Sequence, residues 1–78
     1  LLGYGAWGKC HAAAIQHTPD CELAVICAQS PESQAAAAET GARVTASVED
    51  AVSSSDVDAV DIVLPNHLHE EAALAAFR

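Results

Sequence analysis

The feature that most constrains this chain is a set of three glycines, Gly3, Gly5 and Gly8, in the spacing Gly-x-Gly-x-x-Gly. Apolar residues 1–2 precede the first glycine, and residues 7–17 have the pattern of a helix. Glycine adopts backbone conformations that other residues avoid, and it lets neighbouring segments approach closely. The spacing therefore predicts an abrupt turn from the end of a strand into a first helix. The helical pattern places four side chains on one face of that helix: Trp7, Cys10, Ala14 and Ile15.

Short apolar stretches alternate with helical stretches along the rest of the sequence. Because strands that alternate with helices form a parallel sheet with right-handed crossovers, the predicted fold class is α/β. The predicted architecture is a Rossmann-type doubly wound parallel sheet. It is incomplete, and its elements follow the order β-α-β-α-β-α-β-α. Ser30 and Ser47 are the expected N-caps of the second and third helices. The predicted strands lie at residues 23–28, 43–46 and 57–64, and the remaining helices at residues 31–40, 48–53 and 67–77.

The charge and composition exclude several classes of protein. Only three of the 78 residues are lysine or arginine and the net charge is −8, so we expect no nucleic-acid partner and no anionic membrane surface. No apolar run approaches the ~20 residues that span a bilayer. The three cysteines form no Cys-x-x-Cys pair, which favours a reducing, cytoplasmic location over a disulfide scaffold. Because the chain has no methionine and begins just before the glycine turn, we interpret it as a fragment.

The glycine turn lies between a strand and a helix, and a second strand ends about 20 residues later, a context typical of dinucleotide binding. Gly3 makes the turn, Gly5 lets a pyrophosphate approach the backbone, and Gly8 lets the helix pack closely on the strand. The free N–H groups at the helix start, around Ala6 and Trp7, attract phosphate without basic side chains. A glycine turn without any ligand is the alternative.

The tip of the second strand favours NADP over NAD as the cofactor. An NAD site usually carries a carboxylate there, which binds the ribose 2′-hydroxyl. This chain instead has Ala28, Gln29 and Ser30, which do not repel a 2′-phosphate, and the last two can donate hydrogen bonds to it. The absence of an arginine at this tip weakens the preference, because arginine is the usual phosphate partner. The alternative is that Ser30 acts only as a helix cap.

Three stretches resemble the glucose–fructose oxidoreductase, inositol dehydrogenase and rhizopine-catabolism family (Gfo/Idh/MocA), and the likeness covers essentially the whole chain. They are GYGAWGKCH at residues 3–11, DVDAVDIVLPN at residues 56–66 and HLH at residues 67–69. The resemblance implies a two-domain enzyme that oxidises or reduces a hydroxyl or carbonyl group, usually on a sugar or cyclitol. It also implies that the cofactor is lined by Leu64, Pro65 and Asn66, with His69 close by.

The resemblance further implies which parts of the enzyme this chain lacks. The family's Glu-Lys-Pro motif, which carries the catalytic lysine, follows one strand beyond Arg78, and a second domain supplies the catalytic histidine and the substrate pocket. We therefore expect residues 1–78 to be a partial dinucleotide-binding domain, without catalytic residues and inactive alone. We expect the complete protein to act on a small-molecule substrate and to form a homo-oligomer.

Other reactive side chains have simpler interpretations. His67 and His69 form a His-x-His pair, but no further ligand follows at a recognisable spacing, so no metal site is predicted. Cys10 is interpreted as a small packing residue of the first helix rather than a nucleophile. Lys9 either contacts a phosphate or lies on the surface. The aspartates near the fourth strand are interpreted as solvated, with Asp61 the only one in a position to be buried.

Two other functions remain open from the sequence, because a fold does not fix a function. One is a non-catalytic domain in which the bound nucleotide controls a partner or an oligomer. The other is a structural fragment that binds no ligand. A Glu-Lys-Pro motif and a later aspartate and histidine in the complete gene would favour the enzyme. A bulky replacement of Gly5 that left binding intact would favour the structural fragment.

Overall fold

The structure is a computed structural model, and it describes residues 1–64 and 68–77. Strand β1 spans Val25–Cys27 and strand β2 spans Arg43–Thr45. The predicted positions of these strands are confirmed, although both are shorter than expected. The helices are α1 at Ala6–Gln16, α2 at Pro31–Ala38, α3 at Val48–Ser53 and α4 at His69–Phe77.

The sheet extends beyond the two named strands through single bridges. β1 pairs in parallel with β2, so that Ile26 lies opposite Val44. On the other side, Leu2 forms parallel bridges to both Cys27 and Ile62. Four segments form the sheet: the first at residues 1–2, the second and third at β1 and β2, and the fourth at residues 57–64. They lie across the sheet in the order third, second, first, fourth, which is the order of one half of a Rossmann fold. This arrangement confirms the predicted fold class.

The predicted strand at residues 57–64 is wrong in its length. Only Ile62 pairs, and the flanking backbone bonds run from the Leu2 N–H to the Asp61 carbonyl and from the Val63 N–H to the Leu2 carbonyl, both at 2.8 Å. Val57 instead bonds the Ser54 carbonyl in a turn.

Alternating side chains of β1 pack into two apolar clusters, one on each face of the sheet. Val25 and Cys27 pack with Leu2 and with alanines of α3 and α4. Ile26 and Ala28 pack with the buried Ala37 of α2. Helices therefore cover both faces of the sheet, as the doubly wound architecture requires.

The predicted apolar face of α1 is wrong. The buried residues of this helix are Gly8 and Ala12, whereas Trp7 and Cys10 are exposed. The start of α1 lies against the turn where Gly8 approaches the Gly3 backbone, so the smallest residues rather than the largest ones face inward. The interpretation of Cys10 as a packing residue is therefore also wrong.

Both predicted serine caps are confirmed. The hydroxyl oxygen of Ser30 accepts a hydrogen bond from the backbone N–H of Ser33, and that of Ser47 accepts one from Asp50, each at 3.1 Å. Each bond satisfies one of the N–H groups that a helix start leaves unpaired. Within residues 1–64 and 68–77, no helix has the length and apolar character needed to cross a membrane.

Candidate functional site

The carboxyl ends of the parallel segments meet at one edge of the sheet. Gly3 follows the Leu2 bridge, Gln29 lies just beyond β1, Ser47 follows β2, and Leu64 follows the Ile62 bridge. In open α/β sheets, ligands bind in the crevice beyond these ends, where the strand order reverses. The reversal lies at Leu2 here, because its two neighbours in the sheet are the second and fourth segments. The site is therefore expected at the turn that follows Leu2.

Gly3 is required by the chain itself. Its φ of +101° lies in the region that side chains rarely adopt. A Cβ at this position would also overlap the carbonyl oxygen of Val63 and approach the Leu64 side chain to 3.3 Å. The predicted turn at Gly3 therefore has two physical causes, the conformation of its backbone and the closeness of the fourth segment.

Gly8 is required by close packing. A Cβ at this position would overlap the carbonyl oxygen of Gly3, because the first turns of α1 lie directly against the glycine turn. This is the helix-to-strand contact that the sequence predicted for the third glycine of the motif.

Gly5 differs from the other two, because a Cβ at this position would meet no atom within 4 Å. It is the N-cap residue of α1, and no side chain caps the helix there. The first N–H groups of a helix have no partner within the helix. The described residues therefore do not explain a glycine at this position, whereas a ligand against the backbone at the start of α1 would.

A cleft of about 360 Å³ opens beside this helix start. The Trp7 indole is 74% exposed there, and His69 at the start of α4 donates an imidazole hydrogen bond to the Leu64 carbonyl oxygen. Six of the predicted site residues line this cleft. Four belong to the glycine turn and the start of α1, and the other two are Leu64 and His69. The lining residues of the cleft are Gly5, Ala6, Trp7, Gly8, His11, Ile62, Val63, Leu64 and His69.

His11 also lines this cleft, although sequence reasoning did not select it as a site residue. Its ring nitrogen Nδ1 lies 2.7 Å from the Asp61 carboxylate oxygen Oδ2, where an N–H···O hydrogen bond links α1 to the fourth segment. The Asp61 side chain is 38% exposed, so it is not buried, although Asp56 and Asp58 are more exposed. The only signal in the sequence was the position of His11 three residues after Gly8.

A second cleft of about 490 Å³ lies on the other side of Leu64. Gln29 at the end of β1, Ser47 at the start of α3 and residues of α4 border it. Leu64 lines both clefts, so the two openings adjoin along the carboxyl edge. Together they give the edge room for an extended ligand rather than a compact one.

The side chains at the tip of β1 already take part in hydrogen bonds. Ala28 is buried, with its side chain in the core. The Gln29 amide nitrogen donates to the Ala46 carbonyl oxygen at 2.7 Å and to the Cys27 sulfur at 3.7 Å, so both of its N–H bonds have acceptors. Ser30 accepts a hydrogen bond as the cap of α2, and the hydrogen of its hydroxyl group is still free to donate elsewhere.

Basic and thiol side chains do not converge at this edge in the described part of the chain. Arg43 lies 3.0 Å from the Asp50 carboxylate, and this hydrogen bond holds the pKa of Asp50 below its usual value. Burial raises the pKa of the Cys27 thiol, which keeps it neutral and unreactive, while Cys10 and Cys21 are exposed.

Among residues 1–64 and 68–77, no group of three or more histidine, cysteine, aspartate or glutamate side chains is placed to hold a metal ion. The predicted cofactor residues Pro65 and Asn66, and His67 of the His-x-His pair, lie outside the described residues.

The sequence of this chain matches the model of an oxidoreductase family with an NAD-binding Rossmann fold, GFO_IDH_MocA, over residues 1–78. The chain belongs to this family. The match confirms the resemblance that the glycine turn and the Val-Asp-Ala-Val to Pro-Asn segment indicated.

Individual proteins show the same relationship. The chain is 34% identical over 77 residues to an uncharacterized oxidoreductase of Streptococcus pneumoniae, which covers 97% of this chain and 20% of that protein. It superimposes on biliverdin reductase from Synechocystis in complex with biliverdin and NADP+, with a TM-score of 0.89 and 25% identity, over 96% of this chain and 24% of that one. An NAD-binding protein from Listeria innocua gives a TM-score of 0.87 and 32% identity, over 96% and 22%.

Proposed function

We propose that this chain binds a dinucleotide, NADP or NAD, along the carboxyl edge of its sheet, as the cofactor-binding part of an oxidoreductase. The observation that carries the proposal is Gly5, where a side chain would meet nothing in the described chain, at a helix start that no side chain caps. A pyrophosphate fits this position, because it needs close approach to the backbone and free N–H donors.

The groups proposed to hold the pyrophosphate are the backbone N–H groups of Ala6, Trp7 and Gly8, at the positive end of the α1 dipole. This attraction is local, so it operates in a chain of net charge −8. Leu64, which lines both clefts, is proposed to contact the cofactor between them.

Beyond Leu64, we propose that Pro65 and Asn66 also line the cofactor. The hydrogen bond between His69 and the Leu64 carbonyl oxygen holds the imidazole beside Leu64. When bound, the cofactor supplies the hydride, and the protein positions it.

We propose NADP as the preferred cofactor. The β1 tip carries Ala28, Gln29 and Ser30 and no carboxylate to repel a 2′-phosphate. The Ser30 hydroxyl hydrogen is the donor that the tip can offer directly, and Gln29 can donate by giving up its long hydrogen bond to the Cys27 sulfur. The structural relative from Synechocystis was crystallised with NADP+, which supports the same choice.

The proposed reaction is hydride transfer between this cofactor and a hydroxyl or carbonyl group of a small molecule. We propose a sugar or cyclitol as the substrate, on the basis of the family resemblance. The relative crystallised with biliverdin supports a test of that compound beside the sugars. We propose that the catalytic residues and the substrate pocket belong to parts of the protein other than residues 1–78, and that the enzyme is a cytoplasmic homo-oligomer.

The substitution Gly5→Val tests the pyrophosphate position. Since a side chain at residue 5 has open space, the protein made from the complete gene is expected to fold normally and to bind NADPH at least about tenfold more weakly. The measurement is a titration followed by nicotinamide fluorescence, with circular dichroism as the check on folding. Ala13→Val, at an exposed position of the same helix, is the matched control and is expected to bind like wild type. Unchanged binding by Gly5→Val would contradict the proposal.

The substitution Gln29→Asp tests the cofactor preference. Wild type is expected to bind NADPH at least about tenfold more tightly than NADH, a difference of ~1.4 kcal/mol in binding free energy. A carboxylate at the β1 tip repels the 2′-phosphate and can bind a free 2′-hydroxyl. The variant is therefore expected to lose NADPH affinity while it keeps or gains NADH affinity. If wild type prefers NADH, the assignment of NADP is wrong, although the dinucleotide site stands.

A further inference from the structure

Trp7 is the large side chain of the cleft beside the start of α1. Its indole is 74% exposed, and only three aromatic residues, one each of tryptophan, tyrosine and phenylalanine, occur in the whole chain. It shares the cleft with the aliphatic side chains of Ile62, Val63 and Leu64. Such a wall offers a flat, apolar surface to a ring, and the two histidines of the cleft, His11 and His69, already hydrogen-bond within the chain.

The order of the sheet determines which half of a dinucleotide would lie in this cleft. The adenosine ribose is recognised at the tip of β1, on one side of the glycine turn. Ile62 pairs with Leu2 on the opposite side, and the cleft with Trp7 lies against that fourth segment. With the pyrophosphate at the start of α1, the nicotinamide half extends away from β1 and toward the fourth segment.

We propose that the indole of Trp7 forms the surface against which the nicotinamide ring lies, so that this side chain orients the reactive ring. The inference rests on the proposed function, because it requires a dinucleotide at the glycine turn. Contact between two flat aromatic rings contributes to binding beyond the area that it buries. The indole would lose most of its exposed surface on binding, which explains a tryptophan that the described chain does not bury.

The test compares two ligands that differ at one position, where the cationic nicotinamide ring of the first is a hydroxyl group in the second. NADP+ and 2′-phospho-ADP-ribose, which lacks the nicotinamide, are titrated by calorimetry into wild type and Trp7→Ala, made from the complete gene. The variant is expected to bind NADP+ about tenfold more weakly, and 2′-phospho-ADP-ribose within about twofold of wild type. Trp7→Phe keeps a flat ring and is expected to recover most of the NADP+ affinity. NAD+ and ADP-ribose form a second pair of ligands for the same comparison.

Phe77→Ala is the matched control, because Phe77 is 86% exposed at the end of α4 and lines neither cleft of the carboxyl edge. It is expected to bind all four ligands like wild type. An equal loss for both members of a pair in Trp7→Ala would overturn the inference, since Trp7 would then support the turn and not the ring. Unchanged binding of both members would overturn it as well, since the indole would then be covered by something other than the cofactor. If wild type binds none of the four ligands, the proposed function fails and the inference fails with it.

Discussion

The three glycines of the turn have different physical causes, although they are indistinguishable as letters in a motif. Gly3 has a left-handed backbone and a carbonyl oxygen in the place of its missing Cβ, and Gly8 lies against the Gly3 backbone. Gly5 has open space. Two of the glycines are thus explained by folding, and the third is explained by the ligand that we propose. This distinction is what turns a weak sequence pattern into an argument for binding.

The pair of substitutions Gly3→Ala and Gly41→Ala separates backbone strain from steric overlap. Both residues have a positive φ, +101° and +88°, but only Gly3 has atoms in the place of a Cβ. A left-handed alanine costs roughly 1–2 kcal/mol, and overpacking adds roughly 1–3 kcal/mol. We therefore expect urea unfolding to show a loss of about 1 kcal/mol for Gly41→Ala and about 3 kcal/mol for Gly3→Ala. Equal losses would show that the fourth segment does not press on the turn.

The same residue-level reasoning shows what a sequence cannot supply. The functions of Gly3 and Gly8 and the serine caps follow from rules about single positions, and the structure agrees with them. The contact between His11 and Asp61 joins residues 50 positions apart, so no local pattern could reveal it. The apolar pattern of α1 also predicted the wrong buried face, because it considers only the apolar character of each side chain. In the structure the close approach at Gly8 places Gly8 on the buried face and leaves Trp7 exposed.

Among the elements, α2 depends most visibly on its cap. It is eight residues long, four of them alanine, and Ser30 and Pro31 define its start. Short helices are marginal in isolation, so the capping bond and the burial of Ala37 stabilise it together. The tip of β1 lies immediately before this cap, so the start of α2 also fixes the position of the proposed ribose contacts.

The substitution Ser30→Ala removes the hydrogen bond to the Ser33 N–H and is expected to lower the free energy of unfolding by about 1 kcal/mol. Ser30→Asp is the matched control, because aspartate caps a helix equally well, and it is expected to keep the stability of wild type. Thermal unfolding of the two variants measures the difference. A loss of the same size in both variants would show that the hydroxyl acts through another contact.

The fourth segment shows that a strand's position can be predicted from the sequence while its length cannot. Its apolar run has the composition of a buried strand, and the position of that strand in the sheet is confirmed by the Ile62 bridge. Its length depends on a partner that the run itself does not encode. On the side of the first segment, Ile62 is the residue of this run that bridges to a neighbour, Leu2.

At the scale of the whole molecule, the order of the segments in the sheet places four short features of the sequence at one edge. The turn after Leu2, the tip of β1, the start of α3 and the end of the fourth segment come from four distant parts of the sequence and meet because the segments run parallel. A net charge of −8 coexists with a proposed anion site, since the donors there are backbone groups at a helix start. The family match covers the whole chain and agrees with this geometry.

The most direct test of this account is the position of the pyrophosphate in a crystal structure of the protein from the complete gene, grown with saturating NADP+. We expect its oxygen atoms within about 3 Å of the backbone N–H groups of Ala6, Trp7 and Gly8, against the open side of Gly5. A dinucleotide bound with its pyrophosphate away from the start of α1 would contradict the account.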